Sequence, residues 1–321
     1  WSPFVDLVDR ARHFLLTTHI RPDGDGLGSM IALAEVLKGR GKQVDMVVAS
    51  VLPGRYDFLV QGEVERFYLP GEKYQSADAI VVLDTGTWNQ LADFGDFMKQ
   101  RQAAKAVIDH HLTQDALEAK PFVDVTAEAT GRLVFEALEA LGARPLPRRA
   151  ANALFIALAM DTGWFRHSNT TAKTFALAER LVQDGAQPEK IFDQLFEQNT
   201  LPRLKLMGLV LDRLEVTAAG KVAHTEIHRA DYAATGALPS DSEDLVNYTR
   251  SVIGVEVGLL FMEQPAGGVK VSFRAREKVD VARIAEQFGG GGHRLASGAI
   301  VQAPLDDVKR RVLDAVQQAL R

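Results

Sequence analysis

Three short apolar runs in the first third of the chain each stop at an acid or a histidine. Phe14-Leu15-Leu16-Thr17-Thr18 leads to His19, Ala79-Ile80-Val81-Val82-Leu83 to Asp84, and Ala106-Val107-Ile108 to Asp109. Runs this short, apolar and β-branched, alternating with helical patterns, read as strands of βαβ units around a parallel sheet. A helix is predicted over 27–39, with Ser29 near its start and Gly41 just past its end, and a strand over 43–48. In open α/β sheets, sites form beyond the carboxyl ends of strands, so these clusters are expected to share one edge. They are His19-Ile20-Arg21-Pro22-Asp23-Gly24-Asp25, Asp84-Thr85-Gly86 and Asp109-His110-His111. A fourth cluster, Asp161-Thr162-Gly163, stands at the carboxyl end of an Ala- and Leu-rich helix predicted over 148–160.

A chain of 321 residues suits two domains better than one. Composition shifts near Asp184-Gly185-Ala186-Gln187-Pro188, and the apolar spacing over 190–214 is helical, with an interruption near Pro202. A strand over 221–227 follows, then a hairpin of 255–262 and 269–273 around Pro265-Ala266-Gly267-Gly268. A helix near 279–288 runs into Gly289-Gly290-Gly291-Gly292-His293, and a last helix begins near Leu305. The expected fold class is α/β, with a parallel-sheet domain over 1–186, a helical linker over 187–214 and a smaller α/β domain over 215–321.

The absence of cysteine excludes disulfides, thiolate zinc sites and cysteine nucleophiles, and suits a cytoplasmic protein. No apolar run approaches the roughly 18 residues that span a bilayer, so no membrane partner is expected. The start, Trp1-Ser2-Pro3, has no basic stretch or cleavage pattern, and its lack of Met leads us to expect native residues before it. A net charge of −5 disfavours a grip on long duplex nucleic acid, which requires many phosphates to be neutralised. A nucleic-acid substrate should therefore be short. The stretch 274–294 is locally basic, with Arg274, Arg276, Lys278, Arg283, His293 and Arg294 against Glu277, Asp280 and Glu286.

Singly, each cluster has an ordinary explanation as a turn, a helix stop or a satisfied polar residue. Their conjunction on one edge suggests a metallohydrolase. Pro22 and Gly24 let Asp23 and Asp25 direct carboxylates to neighbouring cations, and His19 is near enough to share one. Asp84 could bridge two cations, with Asp161 and one of the two adjacent histidines completing the second site. Such a pair clamps a phosphoryl group and activates a water, while mixed Asp and His donors favour Mn²⁺ over Mg²⁺ and leave iron, cobalt or zinc open. In the second half, consecutive glycines permit close approach of backbone N–H groups of Gly290, Gly291 and Gly292 to a phosphate, and a neighbouring arginine can hold its oxygens. Arg166 and His167 follow the fourth cluster as candidates to approach substrate, with a surface or packing role as the alternative.

These residues resemble the DHH phosphoesterase superfamily. Its first motif is met by His19, Pro22, Asp23, Asp25, Gly28 and Ser29, its second by Val82-Leu83-Asp84-Thr85-Gly86, and its third by Asp109-His110-His111. The fourth resembles 160–171, and Phe288 to His293 with Ala296-Ser297-Gly298-Ala299 resembles the glycine-rich signature of the DHHA1 domain. Length and layout are most similar to the oligoribonuclease and pAp phosphatase branch. The resemblance implies two domains facing across a cleft, and two Mn²⁺ held by His19, Asp23, Asp25, Asp84, His110 and Asp161, with Asp84 bridging. It also implies His111 beside the scissile phosphate, Asp109 supporting the ligands, and Arg274, His293 and the Gly-rich backbone holding substrate. Short oligoribonucleotides, dinucleotides and 3′-phosphoadenosine 5′-phosphate (pAp) are the implied substrates, and a homodimer is the class expectation. Where relatives often carry Ser, this chain has Ala275, which implies a lost or replaced hydroxyl contact to substrate. A pyrophosphatase or exopolyphosphatase of the same superfamily, or a nucleotide sensor with a degenerate metal site, are the competing readings.

Overall fold

The computed structural model describes residues 1–320, and the chain forms two compact units, Trp1–Gln198 and Asn199–Arg321. The first is built on a six-stranded sheet of β1 (His13–Thr17), β2 (Gln43–Val48), β3 (Val64–Arg66), β4 (Ala79–Leu83), β5 (Ala104–Asp109) and β6 (Lys120–Val123). The order is β3-β2-β1-β4-β5-β6 and every pairing is parallel, as the alternation of strand and helix patterns implies. All residues of β1 and β4 are buried, because helices cover both faces of a parallel sheet. Phe14, Leu16, Val81 and Ile108 pack beneath the helices Ser2–Arg10, Gly24–Gly39, Thr130–Ala140 and Arg148–Asp161, whereas Leu15, Ile80 and Val82 meet Phe67, Phe94 and Phe97 on the other side. Strand order reverses between β1 and β4, the switch point where such sheets open a crevice.

The helix predicted over 27–39 begins three residues earlier, at Gly24. Asp23 caps it by accepting from the N–H groups of Asp25 and Gly26 at 3.0 and 3.2 Å, which outweighs the poor helix propensity of the two glycines. Asp25 therefore lies in the first helical turn rather than in the preceding loop. This helix and Arg148–Asp161 approach closely: a Cβ on Gly28 would stand 2.3 Å from the Ala153 carbonyl oxygen.

The segment 187–214 is helical but not one element. Helix Pro188–Phe192 and a π-helical turn, Asp193–Glu197, precede helix Leu201–Asp212, whose first turn contains Pro202 and whose cap is Thr200. Pro202 thus starts a helix instead of interrupting one. Leu206 and Val210 of that helix pack with Ile227, Leu260 and Met262 of the second unit.

The second unit carries a mixed sheet of β7 (Glu215–Thr217), β8 (Val222–Ile227), β9 (Val257–Glu263), β10 (Val269–Ala275), β11 (Gly291–His293) and β12 (Ala296–Val301). Its order is β11-β12-β10-β9-β8-β7, antiparallel except between β8 and β9. The expected hairpin is β9–β10. Val271, Phe273 and Ala275 point to one side, against helices Val281–Glu286 and Leu305–Ala319, the latter burying Val308, Val312 and Val316 at four-residue spacing. At the end of β10, buried Glu256 accepts from the N–H groups of Glu277 and Val279 at 3.0 and 3.2 Å and also from Lys278.

Two outcomes follow from this packing. Gly28→Ala should cost about 1–3 kcal/mol by forcing two helix backbones apart, whereas Gly39→Ala, with open space around its Cβ position, should not lower the thermal midpoint; equal midpoints for the two variants would contradict the close approach. Burial opposes the Glu256 carboxylate, but its backbone hydrogen bonds outweigh that and hold its pKa below the ordinary 4.5. Its contribution is thus present above pH 4.5 and lost as pH falls through the folded-state value. Denaturant titrations of wild type and Glu256→Gln should show a stability gap at neutral pH that closes in acid; a constant gap would refute the role.

Candidate metal centre and phosphate-holding face

The carboxyl ends of β1, β4 and β5 deliver His19, Asp84 and Asp109 to one edge of the first sheet. The start of helix Gly24–Gly39 adds Asp23 and Asp25, and the last residue of helix Arg148–Asp161 adds Asp161. Asp84 sits just past β4 with φ of 61°, a left-handed backbone that Asp tolerates, and is 2% exposed. Its two oxygens face different partners. Oδ2 lies 3.5 Å from His19 Nε2, while Oδ1 lies 3.6 Å from His110 Nε2 and 3.8 Å from His111 Nδ1. His19 Nε2 is also 3.8 Å from Asp23, and His110 Nε2 is 3.2 Å from Asp161 and 3.8 Å from Asp25. Three clusters of donor atoms result: His19, Asp23 and Asp84; Asp84, His110 and His111; and Asp25, His110 and Asp161.

Neighbouring groups fix how these donors point. His19 Nδ1 is 2.9 Å from the Ile20 carbonyl and His110 Nδ1 is 3.0 Å from that of Ala127. A neutral ring donating from Nδ1 leaves the Nε2 lone pair aimed at the carboxylates, which is how metal-ligating histidines are held. Asp25 is fully buried and accepts from Thr130 N at 2.6 Å, Gly131 N at 2.8 Å and Ser29 Oγ at 3.1 Å. The first two are free N–H groups at the start of helix Thr130–Ala140, a natural seat for an anion. Thr130 Oγ1 also donates to Asp84 Oδ1 at 2.9 Å. Asp109 stands behind the cluster. Its Oδ1 accepts from His110 N, His111 N and His111 Nδ1 at 2.8, 3.2 and 2.8 Å, and its Oδ2 accepts from the Gln114 amide. Thr130, Gly131 and Gln114 are the members that sequence reasoning missed.

The electrostatics of this edge ask for cations. Burial, then the charges of Asp84, Asp161 and Asp23, push the Asp25 carboxyl well above the usual range. Burial and the Asp84 charge push Asp161 up to about 7. Burial disfavours the His19 imidazolium, but hydrogen bonds and charge from Asp23 and Asp84 outweigh it and raise that group to about 10. The hydrogen bond to Asp109 raises His111 to about 9. Carboxylates crowded together in this way repel one another unless protons or metal ions intervene. Mixed carboxylate and imidazole donors of this spacing and orientation fit divalent cations. Arg166 is exposed and donates its Nε to the Gly163 carbonyl at 2.7 Å, so it folds onto its own turn.

In the second unit, β-register brings Arg274 and His293 into one row. Arg274 pairs with Ala296 across β12, and Ala296 pairs with His293 on β11, so both side chains leave the same face with a small residue between them. One step along, Ser272, Gly298 and Gly291 make a second row without bulk. Ala275 is buried on the opposite face, so a hydroxyl at that position would enter the core rather than reach a ligand beside Arg274. That overturns the expected significance of Ala275. The glycine run is a turn at Gly289 followed by an edge strand. Cβ atoms on Gly290 and Gly292 would meet β12 at 2.1 and 2.7 Å, so both allow close strand packing, while Gly291 has open space above it. Among the locally basic residues, Arg276 donates to the carbonyls of Val255 and Arg250, Arg294 donates to that of Glu277, and Arg283 pairs with Asp280. The local charge count therefore overstates what is available to a ligand.

Residues 13–158 match the N-terminal domain of the DHH family, and 220–321 match the DHHA1 domain. A bifunctional oligoribonuclease and PAP phosphatase, NrnA, from Thermus thermophilus is 30% identical over 306 residues, covering 95% of this chain and 89% of that protein. The chain belongs to the DHH family. It is a hydrolytic phosphoesterase by that membership. The Bacillus subtilis protein of the same name is 28% identical, with 94% of this chain and 92% of that protein covered. The crystal structure of an exopolyphosphatase-related protein from Bacteroides fragilis shares the fold, with a TM-score of 0.90 at 23% identity over 100% of this chain and 96% of that one. No helix among the described residues is long and apolar enough to cross a membrane.

Thr130→Val removes the hydroxyl bond to Asp84 and keeps the backbone N–H that Asp25 uses. It should weaken divalent-metal uptake by about 10–100-fold, the usual effect of losing a ligand's supporting bond, with little change in thermal midpoint. Calorimetric titration with Mn²⁺ checks this; wild-type affinity in the variant would contradict the supporting role.

Proposed function

We propose that this chain is a Mn²⁺-dependent phosphoesterase that hydrolyses short oligoribonucleotides and dinucleotides to 5′-mononucleotides and removes the 3′-phosphate from pAp. The observation that carries the proposal is the buried Asp84 carboxylate, whose two oxygens face separate clusters of donors. Relatives named for both activities, similar to this chain over nearly its whole length, support the substrate class. A cytoplasmic setting belongs to the same reading and accords with a chain free of cysteine.

In this reading His19, Asp23 and Asp84 hold one cation, and Asp25, Asp84, His110 and Asp161 hold the other. When bound, such ions neutralise charge on the phosphoryl oxygens and acidify the attacking water. Mixed nitrogen and oxygen donors favour Mn²⁺ among the candidates. Asp109 accepts a hydrogen bond from His111 Nδ1–H, which orients the ring and favours its imidazolium form, whose Nε2–H is then free to donate to a phosphate oxygen. Half-exposed His111 has room for that contact, whereas Asp109 is fully buried and serves as a positioning residue. Arg274 and His293, with the Gly291 backbone, hold a second phosphate of the substrate. Arg166 spends its Nε on its own turn, and its exposed guanidinium stays a candidate to approach substrate in this reading.

Side-by-side turnover of pAp, RNA dimers to pentamers and pyrophosphate, with Mn²⁺ or with chelator, tests the proposal. Metal-dependent release of AMP and mononucleotides is expected; turnover of pyrophosphate alone, or nucleotide binding without hydrolysis, would refute it. Asp84→Ala should lower kcat roughly a thousandfold or more while the protein stays folded, and a near-normal rate would rule out the shared carboxylate. Arg274→Ala should raise KM for nucleotides by about tenfold or more and change kcat much less. Loss confined to kcat would rule out an anchoring role.

A further inference from the structure

Beside Arg274 lies a second arginine that no sequence motif marks. Arg250 ends the helix Val246–Arg250, and that helix covers the same sheet face from which Arg274 projects. The register shows this: Gly258 on β9 pairs with Arg274, and a Cβ on Gly258 would stand 2.1 Å from Thr249 Oγ1 and 3.0 Å from Arg250 N. Only glycine at that point lets the helix end settle next to Arg274. Arg276 then fixes the helix end by donating Nη2 to the Arg250 carbonyl at 2.9 Å. The two guanidinium groups reach the carbonyls on either side of residue 274. Arg274 Nη1 donates to Phe273 at 3.0 Å, and Arg250 Nη1 lies at a long 3.4 Å from the Ala275 oxygen.

Both arginines are half-buried, and neither forms an ion pair among the described residues. Burial pulls the Arg274 group below the usual guanidinium range, the Asp244 charge opposes this, and the Arg250 charge adds to it. Two like charges brought together at partial burial, each spending a single N–H on a carbonyl, leave most of two planar donor forks unfilled. An anion with several oxygens answers both the charge and the geometry.

We propose that Arg250 and Arg274 form a two-arginine clamp for a terminal phosphomonoester of the substrate, with Arg250 as the arm that sets specificity. A phosphomonoester offers three non-bridging oxygens and close to two charges, enough for both forks. An internal phosphodiester offers two oxygens and one charge, enough for one. The enzyme therefore selects nucleotides that carry a free phosphate distant from the scissile bond, such as pAp and 5′-phosphorylated short RNA, over 5′-hydroxyl RNA of equal length. The identity of these substrates rests on the function proposed above, but the clamp itself does not.

The full chain in chelator, titrated with AMP and with adenosine, separates the two. Arg250→Gln should weaken AMP binding roughly tenfold or more, as expected for a lost charge-assisted contact, and leave adenosine binding where it was. Arg250→Lys should restore only part, because a point charge cannot reproduce the fork. In turnover, Arg250→Gln should raise KM for a 5′-phosphorylated dinucleotide by a similar factor with kcat changed only a few-fold, and should raise KM less for the 5′-hydroxyl dinucleotide. Unchanged AMP affinity in the folded variant, or equal KM losses on both dinucleotides, would overturn the clamp. Should the variant fail to fold, the wild-type Arg250 Nε–H resonance decides: it should shift with AMP and stay with adenosine, and a static resonance would overturn the clamp. Failure of the wild type to hydrolyse any nucleotide would instead remove the proposed function and leave the AMP experiment standing.

Discussion

A single buried carboxylate divides its two oxygens between neighbours that the chain brings from three separate segments. Asp84 is almost wholly shielded from water, yet it faces His19 on one side and His110 and His111 on the other. Such an arrangement is costly without counter-charge, since desolvation and mutual repulsion act on Asp25 and Asp161 at the same place. The rest of the first unit serves to hold it. A left-handed residue turns the carboxylate past the end of β4, and Thr130 pins one oxygen. The helices carrying Asp25, Thr130 and Asp161 close around it because Gly28 and Gly131 let their backbones approach.

The second unit solves a different problem by the same means. Small residues at Ala296, Gly291 and Gly298 neighbour Arg274 and His293 on one sheet face, and Gly258 on the other side of Arg274 admits a helix end. Glycine here works through the absence of a side chain at a close approach. At Gly290 and Gly292 it admits a neighbouring strand, and at Gly258 it admits a helix end. Cations that look alike in the sequence differ in how far they are spent: Arg276 reaches the carbonyls of Val255, Arg250 and Val252, whereas Arg274 donates once, to that of Phe273.

Much of this was legible from local pattern. A parallel sheet exposes its strand ends on one edge, so His19, Asp84 and Asp109 could be placed together from three apolar runs alone. The helix ending at Asp161 was equally local. What escaped was long-range or depended on side-chain direction. Thr130 and Gly131 meet Asp25 across more than a hundred residues of sequence, and nothing near them signals the contact. Asp25 falls outside the helix that the pattern predicts because two glycines mask a helix start that only the Asp23 cap reveals. The direction of Ala275 is local as well: strand alternation puts it with Phe273, opposite Arg274.

The proposed sharing of Asp84 between two cations makes a physical demand that electron paramagnetic resonance can examine directly. Titrating Mn²⁺ into the metal-free chain should show uptake of two ions, with the second binding event producing the broadened signal of a spin-coupled pair, as two ions bridged by one carboxylate require. A single ion at saturation, or two that remain magnetically independent, would contradict the division of Asp84 between two sites.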